Sequence, residues 1–256
     1  MATSTGPDKS GTVALWMERA ARALTVIAVL AVCGGALVWI AQRPYFDIRH
    51  VEVRGQLRHV DVDDVRAVFN SAARPAGNFF TVSLDDARRA FETVPWVAQA
   101  AVRRRWPDRL VVTLTEHRAL GIWSDGQLVS DQGLLFAANP GEAETENALV
   151  SFEGPPELAP EAVRRFHAWS ARLAPLSLAI TAIDVSERVS WTVTTDSGQR
   201  FQLGRDDPPG RIDETVARLV AAYPLVVARL GNAPTRIDLR YPNGFAAAAA
   251  QERSRR

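Results

Sequence analysis

Nineteen consecutive residues without a charge, Ala23 to Ala41 (ALTVIAVLAVCGGALVWIA), constrain this chain more than any other feature. Arg22 bounds them on one side and Gln42-Arg43 on the other. At 1.5 Å of rise per residue, a helix of this length spans about 28 Å, close to the hydrocarbon thickness of a bilayer. A cleaved signal sequence has a shorter apolar core, of roughly 7–15 residues, followed by a small-residue cleavage site. Here the apolar run continues into Trp39-Ile40-Ala41-Gln42-Arg43, which reads as an uncleaved anchor. Trp39 stands near one end, where an indole rests at the lipid interface. Cys33, Gly34 and Gly35 read as small residues tolerated in lipid. Residues 1–22 form a short tail, and all other folding material lies after the span. Lys9, Arg19 and Arg22 precede it and Arg43, Arg49, Arg54 and Arg58 follow, so charge bias alone leaves the orientation open.

The 256 residues allow one or two folded domains. A net charge of +1 with 23% charged residues argues against a nucleic-acid binder with a broad basic face. Cys33 is the single cysteine, which excludes an intramolecular disulfide and a multi-cysteine metal site.

From Tyr45 to Glu116 the pattern is strand, helix, helix, strand, strand. Ile48, Val51 and Val53 mark the first strand, ended by Gly55. Asp61 caps a helix carrying Val62, Val65 and Phe69, and residues 73–78 break it. Ser83 caps a second helix with Leu84, Ala87 and Phe91 on one face, and Asp85 and Asp86 suit its positive end. Ala100 to Trp106 and Leu110 to Thr115 alternate around a Trp106-Pro107-Asp108-Arg109 turn. Two helices covering a three-stranded sheet make a small βααββ module, so the fold class is α+β.

From Ala119 to Phe245 the chain reads as a mostly antiparallel β domain with two helices. Hairpins are expected at Ile122-Trp123/Leu128-Val129 and at Trp191–Thr195/Phe201–Leu203. One helix starts near Pro160 and carries Val163, Phe166 and Leu173; the other carries Ile212, Val216, Leu219 and Tyr223 and closes at Gly231-Asn232. Asn139-Pro140-Gly141 with Glu142, Glu144 and Glu146 reads as a solvated acidic loop. The final strand is read as Arg236 to Tyr241, and Ala246 to Arg256 as a disordered tail.

A string of landmarks gives the first region a resemblance to a POTRA domain, and to that of the FtsQ/DivIB division proteins in particular. Asn78-Phe79-Phe80-Thr81-Val82 precedes the second helix, Pro95-Trp96-Val97 opens a strand, Trp106-Pro107-Asp108-Arg109-Leu110 makes the hairpin, and Glu116 follows. Farther on come Ser190-Trp191, Leu203-Gly204-Arg205 and Asp238-Leu239-Arg240-Tyr241-Pro242-Asn243-Gly244. The resemblance covers roughly Arg22 to Phe245. Ala119 departs from it, since a proline often stands there in the family.

The resemblance implies a non-catalytic scaffold in a bacterial inner membrane, single-pass, with its N-terminus cytoplasmic and the large region periplasmic at the division septum. It also implies FtsB- and FtsL-like partners and a link from early cytoplasmic components to late septal wall synthesis. The last strand is expected at a sheet edge, where a partner segment can add as a further strand. On this reading Leu239, Arg240, Tyr241, Asn243 and Gly244 form the partner site. Tyr241 is an aromatic anchor, Arg240 meets an acidic partner residue, and Arg188 joins by the resemblance.

Other motifs carry little. Arg103-Arg104-Arg105 alternate along a strand and so dilute any single patch. Asp61, Asp63 and Asp64 sit where helix caps and first-turn acids belong. His50, His59, His117 and His167 have no zinc-type spacing, and Glu116 and His117, as strand neighbours, face opposite ways. Gly204–Gly210 is a turn-rich connector and not a phosphate cradle. No nucleophile elbow, P-loop or dinucleotide fingerprint is present. No catalytic, cofactor or metal residue is expected, nor a small-molecule or nucleic-acid ligand. The competing readings are a POTRA-type envelope assembly or secretion component, and an anchored envelope hydrolase.

Overall fold

The computed structural model describes residues 9–73, 78–145, 148–241 and 244–249. It divides into two compact units. The first runs to Gly55 and adds Val62–Glu92 and Ala100–Leu114; the second takes Gln56–Asp61, Thr93–Gln99 and the chain from Thr115 onward.

In the first unit, helix α1 (Lys9–Ala41) is continuous and begins well before the uncharged stretch. Its segment Ala21–Ala41 is long and apolar enough to cross a membrane, and none of it is buried in protein. A core helix of this composition would be covered on at least one side. A 3₁₀ turn at Pro44–Phe46 leads into β1 (His50–Arg54). Helix α2 (Val62–Val68) runs into a π turn at Phe69–Ala73, and α3 (Leu84–Phe91) follows. Strands β2 (Val97–Arg105) and β3 (Arg109–Glu116) complete a sheet in the order β1-β3-β2, with β1 parallel to β3. Helices α2 and α3 and the π turn between them bury Val65, Ala87, Phe91 and Phe69, together with Ile48, Val82, Leu110 and Val112. Ser83 caps α3 as expected, its hydroxyl accepting the Asp86 N–H at 3.2 Å. Val62 differs from expectation: it stands at the first position of α2, outside the inward stripe, and is 61% exposed.

The second unit is built on a nine-stranded mixed sheet. Its strands are β4 (Ala119–Trp123), β5 (Leu128–Ser130), β6 (Leu135–Phe136), β7 (Val150–Glu153), β8 (Ile180–Val185), β9 (Trp191–Thr195), β10 (Arg200–Gly204), β11 (Pro234–Asp238) and β12 (Ala246–Ala249). The order across the sheet is β12-β11-β10-β9-β8-β7-β4-β5-β6. The pairs β4/β7, β7/β8 and β10/β11 are parallel and the other five antiparallel. Short α4 (Pro140–Glu144) occupies the stretch read as an acidic loop. Asn139 caps it, and Glu142 accepts the Trp96 indole N–H at 2.8 Å; Glu146 lies outside the described residues.

Helices α5 (Ala159–Leu173) and α6 (Arg211–Leu230) supply Val163, Trp169, Leu173, Ile212, Val216, Leu219 and Tyr223 to one core. Trp191, Val193, Phe201, Leu203 and Ile237 meet them from the sheet. Fully burying a side chain of this size contributes about 1.5–3 kcal/mol, so this cluster dominates the stability of the unit.

Two expectations about the chain end are corrected. The last core strand stops at Asp238 and not at Tyr241, and it is not the sheet edge. Of the stretch read as a disordered tail, Ala246–Ala249 return antiparallel as β12, pairing Ala246 with Asp238, Ala247 with Ile237 and Ala248 with Arg236, and residues 250–256 lie outside the described residues. Among the described residues the edge on this side of the sheet is therefore β12, with β6 at the opposite edge.

Candidate partner-binding site

The turn between β8 and β9 is tight: Val189 N–H bonds the Ser186 carbonyl at 2.8 Å, and Ser186 N–H bonds the Ser190 carbonyl at 3.1 Å. Closing it puts Val189 at φ 56, a left-handed conformation that a β-branched residue adopts only under strain. Arg188 projects from this turn beside the end of β10, where Gly204 has φ +84. A Cβ on Gly204 would come within 3.2 Å of Arg240 Cγ. The glycine thus allows both the turn and the close passage of the Arg240 side chain.

Leu239 anchors the segment after β11. It is 3% exposed, and its N–H bonds the Gln202 carbonyl at 2.9 Å. Arg240 then folds back on Asp238, with Nε and Nη2 donating to the two carboxylate oxygens at 2.9 and 2.6 Å. This pairing, working against burial, holds the Asp238 carboxyl below its ordinary range.

These groups line a cleft of ≈ 450 Å³. Four guanidinium groups surround it, from Arg188, Arg205, Arg211 and Arg240. Leu203, Gly204 and Leu239 form its apolar floor, and Ser186, Ser190 and Asp207 add polar edges. Arg211 donates to the Asp207 carbonyl at 3.1 Å. Arg188 and Arg205 make no side-chain hydrogen bond or ion pair among the described residues. Asp207 is the only carboxylate in the lining, so the cleft favours an anionic group.

Of the six residues expected to meet a partner, Arg188, Leu239 and Arg240 converge on this cleft. Tyr241 and Gly244 are exposed along the segment leading to β12, and Asn243 lies outside the described residues. Leu239 faces the core with Ile237, as alternation requires, but Tyr241 breaks the alternation because the strand has already ended; it is 56% exposed. Arg205, Arg211 and β12 were missed in the sequence. Gly204-Arg205 stood out there only as a strand end, and an alanine run carries no alternation to read.

Two family models cover the chain after the helix: a POTRA domain of FtsQ type matches residues 46–117, and the C-terminal region of cell division protein FtsQ/DivIB matches residues 121–240. Among similar proteins, the cell division protein FtsQ of Burkholderia pseudomallei is 43% identical over 91% of this chain and 92% of its own length. That of Bordetella pertussis is 39% identical over 90% and 89%, and that of Neisseria meningitidis 28% identical over 92% and 96%.

Proposed function

This chain belongs to the FtsQ/DivIB family of cell-division proteins, and from that premise we propose that it is a non-catalytic scaffold that binds FtsB- and FtsL-type membrane proteins. Its N-terminus is cytoplasmic, α1 anchors it in the inner membrane, and the second unit lies in the periplasm at the septum. There it links early cytoplasmic components to the late enzymes of septal wall synthesis.

The observation that carries the reading is β12, the edge strand among the described residues, in the same unit as a cleft rich in arginine. An edge strand presents unpaired N–H and C=O groups, which a partner segment satisfies by adding as the next strand. Backbone pairing of that kind is tolerant of sequence. Specificity falls to side chains, and here Arg188 and Arg240 receive acidic residues of the partner while Tyr241 gives an aromatic anchor. Arg240 is already held by Asp238, so a partner carboxylate joins or displaces that pair; Arg188 meets its partner without such competition.

The test is a pull-down of division coiled-coil proteins with the full chain in detergent, comparing wild type with Arg188→Glu, Arg240→Glu and Tyr241→Ala. Capture should fall at least about tenfold for each charge reversal, the equivalent of ~1.4 kcal/mol. Circular dichroism should be unchanged. Equal capture by all four proteins would reject the site; no capture by wild type would reject the scaffold reading itself.

A further inference from the structure

Of the five strongly exposed aromatic side chains among the described residues, Trp39, Tyr45, Phe80 and Trp106 belong to the first unit, and only Tyr241 does not. Trp39, Tyr45 and Phe80 lie where α1 emerges, and Trp106 lies in the turn between β2 and β3. The Asn78 side-chain amide donates to the Ala41 carbonyl at 2.7 Å, so the Asn78–Phe80 turn is tied to the last residue of the helix. The rings of Tyr45 and Phe46 then follow at 5.2 Å, Phe46 and Phe80 at 5.1 Å, and Phe80 and Phe79 at 5.3 Å.

Trp106 joins from the β2–β3 turn. Its neighbour Asp108 accepts the Arg49 backbone N–H at 3.0 Å, and the Arg49 guanidinium reaches the Pro44 carbonyl at 2.9 Å. Pairing of His50 with Arg109 puts that turn at the end of the sheet where the chain leaves the helix. Arginines border the rings: Arg43 stacks 3.6 Å over Trp39, and Arg49 and Arg109 are exposed, Arg109 lying 3.7 Å from the Asp108 carboxylate.

We propose that Tyr45, Phe80 and Trp106 form an aromatic foot that seats the first unit in the headgroup layer of the leaflet where α1 ends, with Arg43, Arg49 and Arg109 turned to lipid phosphates. The inference rests on reading α1 as a membrane span. Aromatic rings with a polar edge are favoured at that depth, and an apolar ring there no longer faces bulk water. Ala41 lies at the edge of the hydrocarbon, and Asn78 is hydrogen-bonded to it, so the Phe79-Phe80 turn has the depth the proposal requires. The foot fixes the tilt of the unit relative to the membrane, which a single flexible tether would leave free.

The full chain carrying Cys33→Ser is reconstituted in phosphatidylcholine/phosphatidylglycerol nanodiscs and spin-labelled through one added cysteine at a time. Labels at Phe80→Cys and Trp106→Cys should contact dissolved oxygen and be protected several-fold from a water-soluble nickel chelate. A label at Thr113→Cys, about 13 Å farther along β3, should remain open to the chelate. A label at Ala28→Cys should be lipid-buried. Phe80 and Trp106 labels as open as Thr113, with Ala28 buried, would overturn the foot and leave the anchor. An Ala28 label open to the chelate would overturn both.

Discussion

Val189, in the turn that carries Arg188, and Gly204, in the cleft lining, stand on opposite sides of the same physical rule. A left-handed φ is easy for glycine and strained for a β-branched residue. Val189 is 42% exposed, so replacing it sacrifices little packing. Val189→Asn should therefore raise stability by about 1 kcal/mol in urea unfolding, since asparagine tolerates this conformation. A lowered midpoint would show that the valine packs more than it strains. Gly204→Ala has the opposite sign, because φ +84 and the contact with Arg240 Cγ both resist a Cβ. It should destabilise by about 1–2 kcal/mol and lower partner capture by moving Arg240. Unchanged capture would count against Arg240 as a partner contact.

At the level of elements, Glu116 at the end of β3 organises a segment that has no regular structure of its own. Its Oε1 accepts the backbone N–H groups of Arg58, His59 and Val60 at 2.9, 3.0 and 2.9 Å. His59 also stacks on Trp96 at 4.0 Å, so the loop is clamped by polar and aromatic contacts together. Glu116→Ala leaves three N–H groups without their acceptor and should cost about 2–4 kcal/mol. Glu116→Gln retains an oxygen at the same reach and should cost less than half as much. Comparable losses in the two variants, read from urea midpoints, would contradict the carbonyl-like role assigned to Oε1. In the sequence this glutamate was visible only as a landmark of a resemblance. Its hydrogen bonds join residues 56–58 positions apart, and no local spacing reports that.

For the molecule as a whole, His117 and Asp206 of the second unit, beside the Asp238 carboxyl already described, contribute stability that acid removes. His117 stacks on Phe136 at 4.3 Å, and burial pushes its imidazole below the ordinary 6.5, with Asp131 pulling the other way. Its contribution is complete above pH 6.5 and lost as pH falls through the lower folded value. Burial would raise the Asp206 carboxyl, but bonds from Arg165 and from the backbone N–H groups of Ile212 and Gly210 outweigh it and hold it below 3.8. That contribution persists above pH 3.8 and is lost only as pH drops further. Urea midpoints should thus decline in two stages. His117→Gln should flatten the stage just below 6.5, and Asp206→Asn should reduce the stage below 3.8, with the remainder left to Asp238. A wild-type midpoint constant from pH 7 to 4 would reject the first assignment.

Much of the fold was legible because the signals were local. An uncharged run long enough for a bilayer, a serine cap at α3, a glycine closing α6 and the turns of two hairpins each act within a few residues. The sheet edge was not legible. Alanine has low strand propensity and a run of it has no period-two pattern, so residues 246–249 looked like tail. They become β12 because β11 offers them a row of backbone donors and acceptors, a partner eight or more residues back in the chain. Arg240 could be singled out in the sequence as a cation of the last strand, and Arg188 only through the family resemblance. That they line one cleft with Arg205 and Arg211 was decided by the order in which the strands pair, which is a property of contacts between distant residues.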